Sequence, residues 1–492
     1  MKPEVYEMYE PTIGIECHVQ LATDSKLFSG ADNDAREAAP NTKVSPICFG
    51  LPGVLPVLNK KAVDIAVRAG VALHAELNEI SSFDRKHYFY PDLPLGYQIT
   101  QAERPIIGAG KIDVPLGDAF FAVRIHHAHL EADAGKLTHP AGANYSLVDL
   151  NRAGTPLIEI VSEPDMHSPA EAKAFAQELH LRMTMAGVTA GNLFYGNMRF
   201  DVNVSVAKKG SSQLGTRTET KNLNSFRSVE RAVAYEITRQ IEVLESGGAI
   251  TQETRGWDDT LQKTTSQRSK ENAQDYRYFP DADIPPIYLD RAIVERVRDE
   301  LTPQLPPAIR TRLQSRSIPS KDIAVLFTYP LLLDRTLQLL AIDDCTDAEL
   351  KQIVALLINV LPAEFDGIPE ESFAKDSSAL PRVMALLQLV RLVNEGTISS
   401  SSAKEIIKQT WAHLTDPLEE AKERGMVQLT DESAVAAVVE AVLADDASQK
   451  SISDFKQGNE KAIGYLVGQV MKQSHGKANP AMAQKLIRER LT

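Results

Sequence analysis

The stretch TIGIECHV at residues 12–19 is the part of the sequence that decides the fold. It is rich in apolar residues, and Glu16 and His18 lie two apart, so a strand would place both side chains on one face. A second run, FDVNVSV at residues 200–206, alternates in a similar way. Gly, Pro, Asn and Asp separate such runs up to about residue 290. We therefore predict an α+β fold, with a sheet-rich cradle domain over residues 1–292 built on a mixed or antiparallel sheet.

Helical patterns interrupt the sheet and dominate the rest of the chain. The residues SPAE at 168–171 form a capping box, which predicts a helix running to about Gly187. From about residue 291 the apolar residues recur at helical spacing. Two further capping boxes predict helix starts at Thr346 and Ser402.

Charge divides the helical part in two. Residues 411–450 carry nine Asp or Glu against three Lys or Arg, whereas residues 451–492 carry three against seven. We predict a helical domain over residues 293–410, with a loop near 362–380, followed by a small helical tail domain over residues 411–492. The basic end of the tail is either a solvated helix face or a surface for a polyanion.

Length and composition exclude several classes of protein. The chain has 492 residues, more than one domain usually holds, and its net charge of −13 argues against nonspecific nucleic-acid binding over the whole surface. Its three cysteines are too few for a disulfide framework or a four-thiolate zinc site. Acidic residues near the N-terminus, and the lack of an 18-residue apolar stretch, predict a cytoplasmic protein that is neither exported nor membrane-spanning.

Common nucleotide-binding and metal-binding motifs are absent from the sequence. It has no Gly-x4-Gly-Lys-Ser/Thr loop, no His-Glu-x-x-His and no Gly-x-Gly-x-x-Gly after a strand. The GSS run at residues 210–212 lacks the flanking residues of a serine amidase. Any nucleotide would therefore be bound by an uncommon site, and we expect no catalytic serine.

Carboxylates and imidazoles recur on three strand-like runs in the first third of the chain. They are Glu16 and His18, then His129, Glu131 and Asp133, and finally Glu159. A hard divalent cation prefers carboxylate ligands with one or two imidazoles, and bound Mg²⁺ usually also contacts substrate phosphates. The alternative is that these side chains are surface charges on solvated strand faces.

Two further segments have compositions that suit ligand binding. Residues 83–92, FDRKHYFYPD, interleave cations with aromatic rings, which suits a nucleotide site or, equally, an amphipathic strand. Residues 218–226, TETKNLNSF, concentrate amides and hydroxyls, as polar cavities and turns both do.

Seven motifs in a fixed order make the chain resemble one known family, the B subunits of tRNA-dependent amidotransferases (GatB and GatE). The motifs are IGIECHVQL (13–21), GLPGVLPVLN (50–59), FDRKHYFYPD (83–92), SLVDLNRAGTPL (146–157), KNLNSF (221–226), DYRYFP (275–280) and GYLVGQVMK (464–472). The resemblance covers essentially the whole chain.

The resemblance implies an ATP-dependent ligase of protein biosynthesis. With ATP and Mg²⁺, such a chain phosphorylates the side-chain carboxylate of Glu on tRNA(Gln), of Asp on tRNA(Asn), or of both. Ammonia from a partner amidase subunit (GatA) then forms the amide, and a small subunit (GatC) completes a heterotrimer. The resemblance does not decide between the two misacylated tRNAs.

The resemblance also implies roles for individual residues. Glu16, His18 and Glu159 are expected to be catalytic and, together with Glu131, to bind Mg²⁺. The other expected contacts are those of Arg85, Lys86 and Lys136 with ATP, and those of Lys472, Lys477, Lys485 and Arg488 in the YqeY-like tail with tRNA.

Three departures from the family pattern stand out. Ala132 occupies a position where many relatives have Glu, and Phe194 and Tyr195 replace residues that tend to be acidic. These changes motivate a second hypothesis, a tRNA-binding scaffold whose metal site has decayed. Some relatives bind zinc through several cysteines, but here only Cys48 precedes the GLPG turn (50–53), so we expect no zinc.

Overall fold

The computed structural model describes residues 3–269, 275–365, 382–410, 414–428, 432–474 and 477–491. The chain forms two compact units, Met1–Ile309 and Arg310–Thr492. The strands all belong to the first unit, and the second unit is helical over its described residues. The predicted α+β fold with a helical C-terminal part is confirmed. The finer boundaries predicted at 292/293 and 410/411 stay predictions.

The first unit contains fifteen described strands. They are β1 (Tyr9–Gln20), β2 (Ile80–Ser81), β3 (Asp84–His87), β4 (Tyr97–Thr100), β5 (Gly110–Leu116), β6 (Ala119–Ala132), β7 (Lys136–Thr138), β8 (Leu147–Asp149), β9 (Pro156–Ser162), β10 (Met198–Lys208), β11 (Thr218–Leu223), β12 (Glu253–Asp258), β13 (Lys263–Ser269), β14 (Phe279–Pro280) and β15 (Ile287–Tyr288). Residues 218–223, for which a turn was one interpretation, form a strand.

Eight strands form one large sheet in the order β13-β12-β11-β10-β1-β9-β6-β5. Its neighbours are antiparallel except β11 and β12, which are parallel, so the sheet is mixed as predicted. A smaller sheet, β14-β3-β4, is joined to the large one by a hydrogen bond that Gln98 Nε2 donates to the Ala132 carbonyl at 3.0 Å.

The helices of the chain are numbered here in order. They are α1 (Pro3–Tyr6), α2 (Lys60–Ala72), α3 (Pro169–Met185), α4 (Phe226–Glu245), α5 (Arg291–Leu301), α6 (Pro306–Ser315), α7 (Ser320–Thr328), α8 (Pro330–Leu340), α9 (Asp347–Phe365), α10 (Val383–Asn394), α11 (Ser400–Thr410), α12 (Pro417–Glu423), α13 (Glu432–Ala444), α14 (Gln449–Lys456), α15 (Ala462–Gln473) and α16 (Pro480–Leu491). Two short 3₁₀ turns occupy Thr302–Gln304 and Asp446–Ser448. No helix among the described residues combines the length and apolar character needed to span a bilayer.

One face of the large sheet is apolar and carries the core of the first unit. On β1 this face presents Ile13, Ile15, Cys17 and Val19, all buried. They share one hydrophobic cluster with apolar residues of α3 and α4, such as Phe175 and Val233. Because side chains alternate along a strand, Glu16 and His18 must point to the opposite face.

The helix boundaries test the predicted capping boxes. The Ser168 hydroxyl accepts a hydrogen bond from the Glu171 amide at 3.2 Å, which confirms the start of α3. Gly187, at φ +67°, follows the end of that helix, as predicted. The box at Thr346 is also confirmed, since the Glu349 carboxylate accepts from the Thr346 amide at 2.8 Å.

The predicted start at Ser402 is wrong, because α11 begins at Ser400 and its capping residue, Ser399, lies three residues before Ser402. The Ser399 hydroxyl accepts the Ser402 amide at 3.0 Å and caps the helix, and in a run of four serines the spacing to Glu405 selected the wrong one. The predicted loop near 362–380 is wrong at its first residues, since α9 continues through Pro362 to Phe365. Residues 366–380 of that prediction lie outside the described residues.

Candidate active site

The face of the large sheet opposite the core is polar, and four neighbouring strands contribute to it. A cross-strand row runs from Arg199 on β10 to His18 on β1, Glu159 on β9 and His129 on β6. Glu131 lies two residues beyond His129 and so shares its face. The register therefore brings together residues that are far apart in sequence.

Three predicted ligands converge on this polar face. One ligand atom each from His18, Glu131 and Glu159 lie within 4.8 Å of one another. His18 Nε2 is 3.7 Å from Glu131 Oε1 and 3.7 Å from Glu159 Oε2. His129 Nε2 approaches the same two carboxylates at 3.7 and 3.4 Å. These four residues are called the acidic cluster below.

Electrostatics in the acidic cluster follow from burial and crowding. Burial opposes a charge on His129, but hydrogen bonds and charges from Glu131 and Glu159 more than offset it and raise the pKa of His129 to about 9. Burial likewise opposes a charge on Glu159, yet the two histidines and Lys86 hold the pKa of that carboxyl well below its usual range. The cluster thus keeps Glu159 ionised at neutral pH.

Glu16 lies on the same face, but it is not one of the three converging ligands. Its carboxylate accepts a hydrogen bond from Asn203 Nδ2 at 2.9 Å. Burial, followed by the negative charges of Glu159, Glu219 and Asp201, raises the pKa of Glu16. Its predicted role as a metal ligand and catalytic residue stays a prediction.

The donor set fits a hard divalent cation. Two carboxylates and an imidazole come from three different strands, which is the mixture that such an ion accepts. The pKa of Glu16 is raised first by burial and then by the negative charges of Glu159, Glu219 and Asp201, so further acids lie close to these ligands. In addition, Nδ1 of the buried His129 has no hydrogen-bond partner in the described structure. A cation placed among His18, Glu131 and Glu159 would offset this charge.

Ala132 does not remove a carboxylate from the polar face. Its side chain packs against the hydrophobic core, on the opposite side of β6 from Glu131. Glu131 itself is retained and is 4% exposed in the acidic cluster. The departure from the family pattern at this position therefore leaves the converging ligands complete.

The three predicted ATP contacts lie in different surroundings. Lys86 has no ion-pair partner in the described part of the chain, and its amino group lies 4.9 Å from the Tyr276 ring centroid and close enough to Glu159 to lower its pKa. Arg85 is instead engaged by two carboxylates, with Nε 2.8 Å from Asp281 and Nη2 2.8 Å from Asp283. Lys136 is exposed on β7, in a separate two-stranded sheet.

The four predicted tRNA contacts divide into two pairs. Lys472 and Lys477 are exposed and have no ion-pair partner among the described residues. Lys485 lies 3.7 Å from both Glu432 and Glu489, and Arg488 forms an ion pair with Glu460. Of these four residues, Lys472 and Lys477 are the two whose cations have no carboxylate partner among the described residues.

Sequence reasoning missed several charged residues beside the acidic cluster. Lys221 Nζ is 2.9 Å from Asp201 and 3.0 Å from Glu219, whose charges raise the pKa of Lys221 against the effect of burial. Arg199 pairs with Asp133 at 3.0 Å, just past the end of β6. The signal was present, because Arg199 and Asp201 alternate with apolar residues along β10.

Comparison of the chain with protein-family models identifies the class of protein to which this polar face belongs. A family model described as the GatB/GatE catalytic domain matches residues 11–295, and one described as the GatB domain matches residues 340–491. The first match contains the entire acidic cluster. The sheet and its polar face therefore define the catalytic domain of a tRNA-dependent amidotransferase.

Full-length relatives narrow the classification. Three curated proteins, each the B subunit of an aspartyl/glutamyl-tRNA(Asn/Gln) amidotransferase, come from Halorhodospira halophila, Polynucleobacter asymbioticus and Carboxydothermus hydrogenoformans. They are 44%, 43% and 42% identical to this chain, and each match covers 98% of this chain and 99% of the relative. The chain belongs to the GatB/GatE family, whose enzymes use ATP to activate misacylated tRNA and then amidate it.

Proposed function

We propose that this chain phosphorylates the side-chain carboxylate of Glu on tRNA(Gln), of Asp on tRNA(Asn), or of both, and then converts the acyl phosphate to an amide. The observation that carries the proposal is the convergence of His18, Glu131 and Glu159 on a polar sheet face within the matched catalytic domain. The three named relatives act on the same two classes of charged tRNA, which supports it.

His18, Glu131 and Glu159 would hold Mg²⁺, with Glu16 beside them as a third acidic group. When bound, Mg²⁺ supplies neutralisation of the phosphate charge and a template for the reacting groups. His129 keeps Glu131 and Glu159 in position from the side opposite His18, since it approaches both carboxylates. The proposal assigns no role to zinc.

Phosphoryl transfer at this site is a matter of positioning and charge. The substrate carboxylate is ionised at neutral pH, so its oxygen attacks the γ-phosphorus without a general base, and ADP leaves. The Lys86 ammonium, half-buried beside Glu159 and without an ion pair of its own in the described residues, is placed to contact the phosphates. Arg85 is a weaker candidate for this contact because two carboxylates already engage it. Lys136 is also weaker, because it lies in a separate sheet.

The second half-reaction needs ammonia from outside this chain. Ammonia attacks the acyl carbon of the phosphorylated side chain, and inorganic phosphate leaves. A partner glutaminase, the amidase subunit GatA, would supply the ammonia, and a small subunit, GatC, would complete the heterotrimer. The lack of an amidase serine motif in this sequence supports that division of labour.

The tail over residues 411–492 is proposed as a tRNA-binding domain in a protein of the cytoplasm. Phosphate contacts from Lys and Arg give affinity that is independent of sequence. The exposed Lys472 and Lys477 suit this role better than Lys485 and Arg488, which already pair with carboxylates.

The first test is ADP release by the chain co-purified with its amidase and small-subunit partners. In the presence of Mg²⁺, we expect stimulation by Glu-tRNA(Gln), Asp-tRNA(Asn) or both, and none by the uncharged tRNAs. Glu16→Gln should abolish the stimulation, whereas Glu10→Gln, exposed on the same strand and face, should retain it. Bound tRNA without stimulated ADP release would contradict the proposal and favour the scaffold hypothesis.

A further inference from the structure

A tight turn at residues 192–197 borders the polar face and carries two exposed aromatic rings. The Asn197 amide donates to the Asn192 carbonyl at 3.0 Å, and the Gly196 amide donates to the Leu193 carbonyl at 3.1 Å. Gly196 has φ +72°, a conformation that favours glycine. Leu193 packs against the core. The turn is therefore fixed in place, and its two aromatic residues are presented by a rigid backbone.

The turn is attached to β1 directly beyond the acidic cluster. The Gln20 amide donates to the Asn197 carbonyl at 2.8 Å, and Asn197 Nδ2 donates to Gln20 Oε1 at 3.0 Å. Gln20 is two residues from His18 on the same face, which is roughly 7 Å along a strand. A ligand bound at the turn would therefore lie about one nucleotide's length from the acidic cluster.

The rings on this turn are exposed and accompanied by one cation. Phe194 is 88% exposed and Tyr195 is 44% exposed, with their ring centroids 5.3 Å apart at 76°. The Arg36 guanidinium lies 5.6 Å from the Tyr195 ring centroid and is oriented by Asp34, to which Nε donates at 2.8 Å. Exposed aromatic rings stack on nucleobases, and a guanidinium over one of the rings adds a cation–π contact to that ring.

We propose that Phe194, supported by Tyr195, stacks on the base of the 3′-terminal nucleotide of the charged tRNA. This inference rests on the proposed function. The amino acid is esterified to the ribose of that nucleotide, so a side-chain carboxylate at the acidic cluster brings the terminal base to the border of the polar face, where the turn lies.

Geometry favours the tRNA base over the adenine of ATP. The turn flanks the cluster on the β10 side, whereas Lys86 flanks it on the β6 side, since β3 pairs with β4 and Gln98 of β4 bonds to Ala132. In phosphoryl transfer the attacking and leaving oxygens lie roughly in line, on opposite sides of the phosphorus. With the ATP phosphates toward Lys86, the acceptor carboxylate enters from the side of the turn.

The test compares Phe194→Ala with Phe120→Ala in the assembled amidotransferase. Phe120 is a matched control because it is 55% exposed but lies at the far end of β6. For Phe194→Ala, we expect the KM for charged tRNA to rise about tenfold, with the KM for ATP and the kcat within about twofold of wild type. Phe194→Trp and Phe120→Ala should both keep the wild-type KM for charged tRNA.

A direct readout uses charged tRNA whose terminal adenine is replaced by 2-aminopurine. Its fluorescence should be quenched on binding to the wild type and to Phe194→Trp, but not to Phe194→Ala. The proposal is overturned by unchanged quenching in Phe194→Ala, by a rise in the KM for ATP instead, or by loss of a partner subunit from the complex. If wild-type ADP release does not respond to charged tRNA, the proposed function itself has failed.

Discussion

Glu236 is a buried carboxylate of the first unit and Glu159 a half-buried one, and their surroundings differ in charge balance. Glu236, on α4, accepts from Arg239 Nη2 at 2.8 Å and Thr218 Oγ1 at 2.9 Å, and Arg255 Nε lies 3.1 Å away. Burial would raise the pKa of Glu236, but these partners lower it. One carboxylate there faces two guanidinium groups.

The acidic cluster has a different balance. Glu131 and Glu159 share two imidazoles, the neighbouring Glu16 adds a further acid with a raised pKa, and a buried nitrogen of His129 has no hydrogen-bond partner in the described structure. The comparison teaches that buried charge alone does not indicate function. A buried charge network whose members already satisfy one another stabilises the fold, whereas one with unmet charge can bind a ligand.

The largest expected difference is in activity. Glu159→Ala should lower ADP release stimulated by charged tRNA about 10³-fold, equivalent to ~4 kcal/mol, because it removes a cation ligand. The free energy of unfolding should change by less than about 1 kcal/mol, since Glu131 and Glu16 remain as acids in and beside the cluster. Glu163→Ala, just past the end of β9, is the control that should keep full activity. A folded Glu159→Ala protein with wild-type turnover would remove the distinction between the two networks.

The second difference is in stability. Glu236→Ala should lower the free energy of unfolding by about 3 kcal/mol, because it leaves Arg239 and Arg255 without their shared partner. Chemical denaturation would measure the loss, and Glu242→Ala on the exposed side of α4 should cost under about 0.5 kcal/mol. The protein that remains folded should retain normal turnover. A stability change below about 1 kcal/mol would mean that this network is not a structural one.

Added Mg²⁺ should stabilise the protein through the acidic cluster and not through residues elsewhere in the first unit. At ten times its Kd, Mg²⁺ should stabilise the wild type by about 1.4 kcal/mol through preferential binding to the folded state. Thermal unfolding with Mg²⁺ and with EDTA would measure this. Glu159→Ala should lose the stabilisation and Glu242→Ala should keep it. Equal stabilisation of both variants would place the ion elsewhere.

Acid should weaken the Glu236 network in a predictable direction. The pKa of Glu236 is depressed by folding, so its ionised form stabilises the protein above about pH 4.3, the value expected in the unfolded chain, and that stability is lost as the pH falls through the folded pKa. The stability gap between the wild type and Glu236→Gln should therefore be constant from pH 6 to 8 and narrow below pH 4. A gap that widens in acid would contradict the sign.

The smallest effect extends the comparison to the basic tail. Lys472→Ala and Lys477→Ala should each weaken tRNA binding about twofold to threefold and make the salt dependence shallower. Lys485→Ala should change binding less, because Glu432 and Glu489 already offset its charge. Filter binding at several salt concentrations would measure both quantities. A larger effect of Lys485→Ala would show that paired cations serve tRNA as well.

Local features of the fold could be predicted from the sequence because they depend on neighbours in the chain. The strand at residues 12–19 and the cap at Ser168 follow from alternation and from the reach of one side chain. The cap at Ser399 was missed because four successive serines offer the same hydroxyl, and only the helix geometry selects one.

The site could be predicted only in part, because its geometry depends on strand order. Alternation placed Glu16 and His18 on one face, but which of them meets Glu159 depends on β9 pairing with both β1 and β6. The engagement of Arg85 by Asp281 joins residues almost 200 positions apart, and no local pattern reports it.

The cross-strand row on the polar face also determines the order in which folding and cation binding can occur. His18 pairs in register with Glu159, about 140 residues later in the chain. During translation, β1 and β6 are therefore synthesised before β9. Pairing β1 with β9 closes a long loop, which is a slow step of folding. A slip of one residue in β9 would bury Glu159 and turn Ile158 and Ile160 to water. Because the cation site proposed at this row requires the completed and correctly registered sheet, a magnesium ion held there would bind only after the catalytic domain has folded.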